Sequence, residues 1–359
     1  MSKLSVGIVG LPNVGKSTLF NALLKAQQAY AANFPFATIE PNIGVVPVPD
    51  ARLEVLSSLY NSAPIVPANV EFVDIAGLVA GAHKGEGLGN KFLSHIRSVD
   101  AIAHVVRNFP DEEVVRAGSF SPELDLEVIQ TELVLADLES MGKQAEKLKK
   151  NKDRNLQSIF EKLMTALNEG KPASSVEASD LEAPFMRDFH LLTQKPYLVV
   201  VNVSESDLSN ASKIESEFAQ KININPSSVV AICAKAEEQL AGFSSEEASE
   251  YLSTLGVSDA GLTRLIQKAY STLGLISFLT AGEKEVRAWT IEKGTVASEA
   301  AGEIHADFVK KFIKADVCSF DTFVECGGWK VAREKGLVRQ EGRDYTVAEG
   351  DVIEFKIGA

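Results

Sequence analysis

Cysteine is scarce in this sequence: Cys233, Cys318 and Cys326 are the only three among 359 residues, and no C-x-x-C pair occurs. A disulfide framework and a cysteine zinc site are both excluded, and the usage fits a reducing cytosol. Long apolar runs are missing too. The continuous run at residues 197–201 is typical, far short of the roughly 20 residues that span a bilayer. We expect no membrane contact. Met1-Ser2-Lys3-Leu4 leads straight into a strand-like segment, without the basic and apolar regions of a leader. Positive charge is in deficit, with 36 Lys and Arg against 49 Asp and Glu, a formal net charge of −13. Such a surface repels phosphate backbones on average, so any nucleic-acid contact needs a local basic patch. There are no internal repeats and no low-complexity segments. The expectation is a cytoplasmic globular protein and a monomer.

What is present is an alternation. A length of 359 residues suits two or three domains. Apolar runs at residues 4–9, 43–48, 70–73, 101–106, 197–201 and 229–233 read as strands. Residues 15–25 and 261–273 carry apolar side chains at helical spacing. Strands alternating with helices predict a doubly wound α/β sheet. Between residues 107 and 196 the alternation stops, and apolar residues at mixed spacings of three and four predict two long amphipathic helices turning near 150–154. After residue 279 the texture changes to strands at 286–291, 346–347 and 352–355 with a short helix at 303–312, enough chain for a small α+β domain.

Gly10-Leu11-Pro12-Asn13-Val14-Gly15-Lys16-Ser17 satisfies G-x-x-x-x-G-K-[ST] between a strand and a helix. The glycines let backbone N–H groups wrap phosphates, Lys16 places a point charge on the β/γ oxygens, and Ser17 ligates Mg²⁺. The helix start adds dipole and free donors. Asp74-Ile75-Ala76-Gly77 follows the apolar Phe72-Val73, which puts a carboxylate at a strand end to hold Mg²⁺ through water and the Gly77 N–H near a γ-phosphate. Between them, Thr38 in Phe34-Pro35-Phe36-Ala37-Thr38 is read as completing the Mg²⁺ shell.

Those segments resemble the YchF-type Obg-like ATPases. The resemblance is carried by residues 7–18, 33–42, 72–79 and Gly85-Glu86-Gly87-Leu88-Gly89-Asn90. At the C-terminal end it continues through Glu285-Val286-Arg287-Ala288-Trp289-Thr290 and Ile304-His305-Ala306-Asp307-Phe308. It implies a Ras-like P-loop NTPase domain with an inserted α-helical hairpin and a C-terminal α+β β-grasp (TGS) domain. The expected division is 1–125 with 195–276 for the nucleotide domain, 126–194 for the hairpin and 277–359 for the TGS-like domain. Slow ATP hydrolysis and association with ribosomes are implied with it. On this pattern Asn13, Val14, Gly15, Lys16, Ser17, Thr18 and Gly77 bind the phosphates, and Ser17, Thr38 and Asp74 serve the metal. The Ser/Glu-rich stretch at 174–182 is where the sequence departs furthest from the family.

GTP-specific relatives read guanine with Asn-Lys-x-Asp after the fifth strand. Here the residues are Asn202-Val203-Ser204-Glu205, so the lysine stem is gone and the carboxylate is moved by one methylene. An Asn amide can match both the amino donor and the ring acceptors of adenine. By resemblance, Asn202 and Val203 line the adenine site and Cys233, Ala234 and Lys235 close its other side. Most Ras-like enzymes orient the attacking water with a Gln after D-x-x-G, but Leu78 stands there. His83 is the nearest neutral-pH proton acceptor in sequence, with an exposed loop histidine as the equal alternative. Asn13 is read either as helping to hold a K⁺ ion against the phosphates or as bonding its own backbone.

Lys147, Lys149, Lys150, Lys152 and Arg154 cluster at the expected hairpin tip, a patch that would tolerate RNA phosphate on an otherwise acidic protein. The TGS resemblance also points to RNA, although residues 277–359 carry 12 basic against 15 acidic side chains and form no electrostatic platform. An Mg²⁺-dependent ATPase acting around translation is the leading expectation. A GTPase or dual-specificity NTPase and a non-catalytic nucleotide sensor remain as alternatives.

Overall fold

The computed structural model describes residues 4–33, 42–75, 89–109, 121–148 and 151–358. They fall into two compact units, one from Leu4–Gly44 and Glu71–Ala269, the other from Val45–Val70 and Tyr270–Ala359. The strands are β1 (Ser5–Gly10), β2 (Ile43–Pro47), β3 (Ile65–Val66), β4 (Asn69–Asp74), β5 (Ala101–Asn108), β6 (Tyr197–Val203), β7 (Val229–Ile232), β8 (Leu275–Ala281), β9 (Val286–Glu292), β10 (Phe312–Ser319), β11 (Arg339–Glu341) and β12 (Asp351–Ile357).

The first sheet has the order β2-β4-β1-β5-β6-β7, and β4, β1, β5, β6 and β7 pair in parallel. Every residue of β1 and β7 is buried. That is why these strands read as unbroken apolar runs rather than as alternations: both faces of a parallel sheet are covered. Helix Lys16–Asn33 leaves β1 and buries Leu19 and Leu23 one turn apart. Because the five strands run the same way, Gly10, Asp74, Val203 and Ile232 all finish at one edge. This is the edge where open α/β sheets bind ligands.

The break in alternation is the expected hairpin, helices Pro122–Leu148 and Arg154–Asn168. Val134, Met141, Ile159, Leu163 and Leu167 form their shared core. Asp153 caps the second helix by accepting from the Asn155 and Leu156 N–H groups. The Ser/Glu-rich stretch supplies a latch for it. Glu182 is buried and accepts from Ser158 Oγ at 2.6 Å, Lys162 Nζ at 2.8 Å and the Ser179 N–H at 2.9 Å. The Lys162 hydrogen bond, with the others, holds its carboxyl down to about 2.

The second sheet runs β11-β10-β12-β8-β9-β3. The β8–β9 pair is antiparallel, β12 lies parallel to β8, and β10 is antiparallel to β12. Helix Ala297–Ile304 packs on it through Ala297, Ala300 and Ala301 against Phe278, Ile291 and Val317. This is the β-grasp arrangement.

Three expectations are corrected here. Residues 303–312 are not one helix: Ala297–Ile304 ends, Asp307–Lys311 makes a short turn of helix, and Phe312 opens β10 with its ring buried against Phe355. The four-residue spacing of Phe308 and Phe312 imitates a helix face. Thr346 makes an isolated bridge to Val296 rather than a strand. The expected domain limits also shift. Residues 45–70 were assigned to the nucleotide domain, yet they pack in the unit with the C-terminal chain. Helix Ala51–Leu59, capped by Asp50, buries Leu53 and Leu56, and β3 pairs with β9. The later boundary moves back as well, because the Tyr270 hydroxyl meets Ile276 O, Ser277 Oγ and Thr290 Oγ1 within 3.1 Å.

Candidate functional site

The phosphate end is a local construction. β1 must stop at a glycine, since a Cβ on Gly10 would stand 2.7 Å from the Val105 carbonyl oxygen. The loop then turns through left-handed backbone at Asn13 (φ 64°) and Gly15 (φ 92°). A Cβ on Gly15 would lie 2.1 Å from Asn202 Nδ2, so the loop closes against β6 only because Gly15 is bare. Lys16 begins the helix and is buried, with its ammonium donating to Asp74 Oδ1 in an ion pair. Asp74 ends β4, and its N–H donates to Asn42 O at 2.9 Å. Ser17 is exposed in the first helical turn and Thr18 is half-buried. No acidic side chain occupies that turn, which leaves the positive end of the helix dipole for an anion.

The Asp74 carboxylate beside Lys16 and the Ser17 hydroxyl are hard oxygen donors suited to Mg²⁺. Among the described residues, no three His, Cys, Asp or Glu side chains converge as a metal cage. Thr38, Gly77 and His83 lie outside the described residues.

The base end joins segments that are distant in sequence. Asn202 Nδ2 donates to Val14 O at 2.9 Å, and its Oδ1 accepts from the Ala234 N–H at 3.0 Å, all buried. Both ends of the amide are engaged with backbone, so Asn202 is a strut tying the phosphate loop to the segment after β7. Val203 is 1% exposed within the cluster of Val201, Leu208, Ala211 and Phe218. Its side chain fills the core. Cys233 precedes helix Ala234–Leu240 without a side-chain cap bond, and burial pushes its thiol up. Ala234 is buried and Lys235 is exposed.

Sequence reasoning missed Tyr251 altogether. It lies on helix Ser245–Thr254, which a capping box of Ser244 and Glu247 starts. Its hydroxyl donates to Glu205 Oε1 and lies 3.2 Å from Gln239 Oε1. The capping box was visible in the sequence, but nothing there placed this ring beside Glu205. Of the described histidines, His104 is the buried one. Its ring meets Tyr197 edge-on at 5.5 Å, and desolvation lowers it to about 3, so it stays neutral.

A glycine-cornered strand–loop–helix with a buried lysine, facing an aspartate at the next strand end, defines a P-loop NTPase. A family model described as 50S ribosome-binding GTPase matches residues 5–203. The YchF-GTPase C-terminal model, described as a protein of unknown function, matches residues 275–358. Curated relatives named ribosome-binding ATPase YchF include one from Bacillus subtilis, 48% identical over 98% of this chain and 99% of its own. Another, from Haemophilus ducreyi, is 46% identical over 98% of each. A solved structure described as the Schizosaccharomyces pombe YchF GTPase superposes with a TM-score of 0.88 at 37% identity, covering 99% of this chain and 98% of that one. The chain belongs to the YchF family of P-loop NTPases. No helix among the described residues is long and apolar enough to cross a membrane.

Proposed function

We propose that this protein binds and hydrolyses ATP with Mg²⁺ and uses the nucleotide state to dock on ribosomes in the cytoplasm. The observation that carries the nucleotide reading is the convergence of Lys16 and Asp74 at the mouth of the phosphate loop. Lys16 exchanges its carboxylate partner for the β/γ oxygens, where a fixed cation stabilises the charge developing on the transferred group. Free N–H groups from Gly15 onward cradle the phosphates. Ser17 and Asp74, with Thr38 on the sequence pattern, would hold Mg²⁺. Held there, the ion would supply positive charge to offset that of the phosphates.

At the base end, Cys233, Ala234 and Lys235 form one wall and Glu205 the rim. Asn202 and Val203 shape the site from behind. Adenine is favoured over guanine because Glu205 stands where the guanine-reading carboxylate would be, one methylene longer and hydrogen-bonded elsewhere. The curated relatives carry the name ATPase and the fission yeast structure the name GTPase, so base choice is the decisive measurement. Competition of ATP and GTP for a ribose-labelled fluorescent ADP tests it, and tighter GTP binding overturns the ATP reading. Turnover measured with and without ribosomes separates an enzyme from a sensor that only binds. Asn13 is the candidate to place K⁺ against the phosphates, and equal single-turnover rates in K⁺ and Na⁺ buffers would remove that role. For ribosome contact, Lys152 and Arg154 are exposed beside the hairpin turn, while Lys149 and Lys150 lie outside the described residues.

A further inference from the structure

Where the inserted hairpin leaves β5 and returns to β6, a cavity of about 160 Å³ lies against the sheet. An engineered apolar cavity of about 150 Å³ takes up benzene, so the space here suits a single ring. Its floor is Ile102 and His104, two apart on β5 and so on one face. Tyr197 of β6 stands opposite Ile102 in register. Thr131 and Val134 of helix Pro122–Leu148 form one wall, and Pro172 and Leu192 on the returning chain form the other. That second wall is fixed, because Asp137 accepts from the Leu192 and Thr193 N–H groups at 2.8 Å each. The cavity is preformed, as small-molecule sites usually are.

One polar side chain on the floor is unanswered. His104 is 2% exposed, and its Nδ1 is buried without a hydrogen-bond partner among the described residues. Such an atom calls for an explanation. Desolvation keeps the imidazole neutral, so Nδ1 offers one donor or one acceptor according to the tautomer. Charge narrows the choice of occupant. The Lys195 ammonium, also on the lining, is turned to the Arg97 and Val99 carbonyl oxygens. The exposed Glu127 carboxylate completes the lining and would repel an anion. We propose that this cavity binds a small uncharged hydroxy-aromatic molecule, its ring among Ile102, Val134 and Leu192 and its hydroxyl on His104 Nδ1. A hydroxyl both donates and accepts, so it satisfies either tautomer. A plain hydrocarbon ring leaves Nδ1 unanswered.

The test is titration of phenol, toluene and benzoate into the full-length native protein, followed by calorimetry, with amide NMR shifts locating the site. Phenol should bind once per chain with a dissociation constant on the order of 1 mM or tighter, within the ceiling for so small a ligand. Its shifts should centre on residues 102–104, 131–134 and 192–197. Toluene should bind roughly three- to tenfold more weakly, the range given by one hydrogen bond, and benzoate more weakly still. His104→Phe keeps an aromatic ring and should erase the preference for phenol over toluene. If that variant does not fold, the comparison of the three ligands on native protein decides alone. Phenol binding that does not saturate, or shifts that lie elsewhere, overturns the site. Equal binding of phenol and toluene, or a preference that survives in His104→Phe, removes His104 as the partner and overturns the inference. Benzoate binding as tightly as phenol overturns it too, because the cavity would then not select against charge.

Discussion

The two ends of the nucleotide site are built on opposite plans. The phosphate end uses consecutive residues of one strand–loop–helix, closed by a single distant carboxylate, Asp74. The proposed base end draws instead on residues 202–205 and 233–235, which separate elements bring together. Backbone N–H groups and a lysine at fixed spacing recognise phosphate in any sequence that folds this way. Base reading depends on which way a few side chains are turned by their neighbours.

The largest expected effect probes the phosphate end. Lys16→Ala should lower single-turnover hydrolysis by roughly 10²–10³-fold for ATP and GTP alike, because the lysine meets phosphates common to both. A loss confined to one nucleotide would break the division between the two ends. Next in size is Asn202→Ala, which removes the strut between them. It leaves Val14 O and the Ala234 N–H buried and unpaired, at a cost of about 1–3 kcal/mol. Thermal melting should fall by a few degrees, and ATP and GTP affinity should weaken together. Selective loss of ATP would make Asn202 a base reader.

The smallest effect comes from the hairpin, whose latch joins residues 20 to 24 apart. Glu182 is held below its ordinary 4.5, down to about 2, so its contribution is full above about 4.5 and fades as pH falls through about 2. The melting difference between native protein and Glu182→Gln should be greatest near neutral pH and close over that window. A difference that persists at pH 2 would show that the latch does not act through its charge.

Legibility in the sequence follows the same contrast. The phosphate loop could be read because its chemistry is contiguous, and Asp74 because a carboxylate directly after an apolar strand has few other uses. Asn202 and Val203 could be marked in the sequence but not their surroundings: the partners of Asn202 lie 188 and 32 residues away, and Val203 is buried among Val201, Leu208, Ala211 and Phe218. The parallel strands announced themselves through two-sided burial. β10 did not, because Phe308 and Phe312 carry a helical spacing across the point where one element ends and the next begins.

The segment 45–70 has a consequence for how the chain is made. β3 pairs with β9, Ile65 opposite Val286, about 220 residues later. At a synthesis rate of roughly 5–20 residues per second, the wait is on the order of ten to forty seconds. During that time Leu53 and Leu56 have no native core to enter. The unit cannot close vectorially. Its first piece must stay in holding until the last ninety residues arrive. A chain cut after residue 269 would keep that piece permanently without the strand it pairs with.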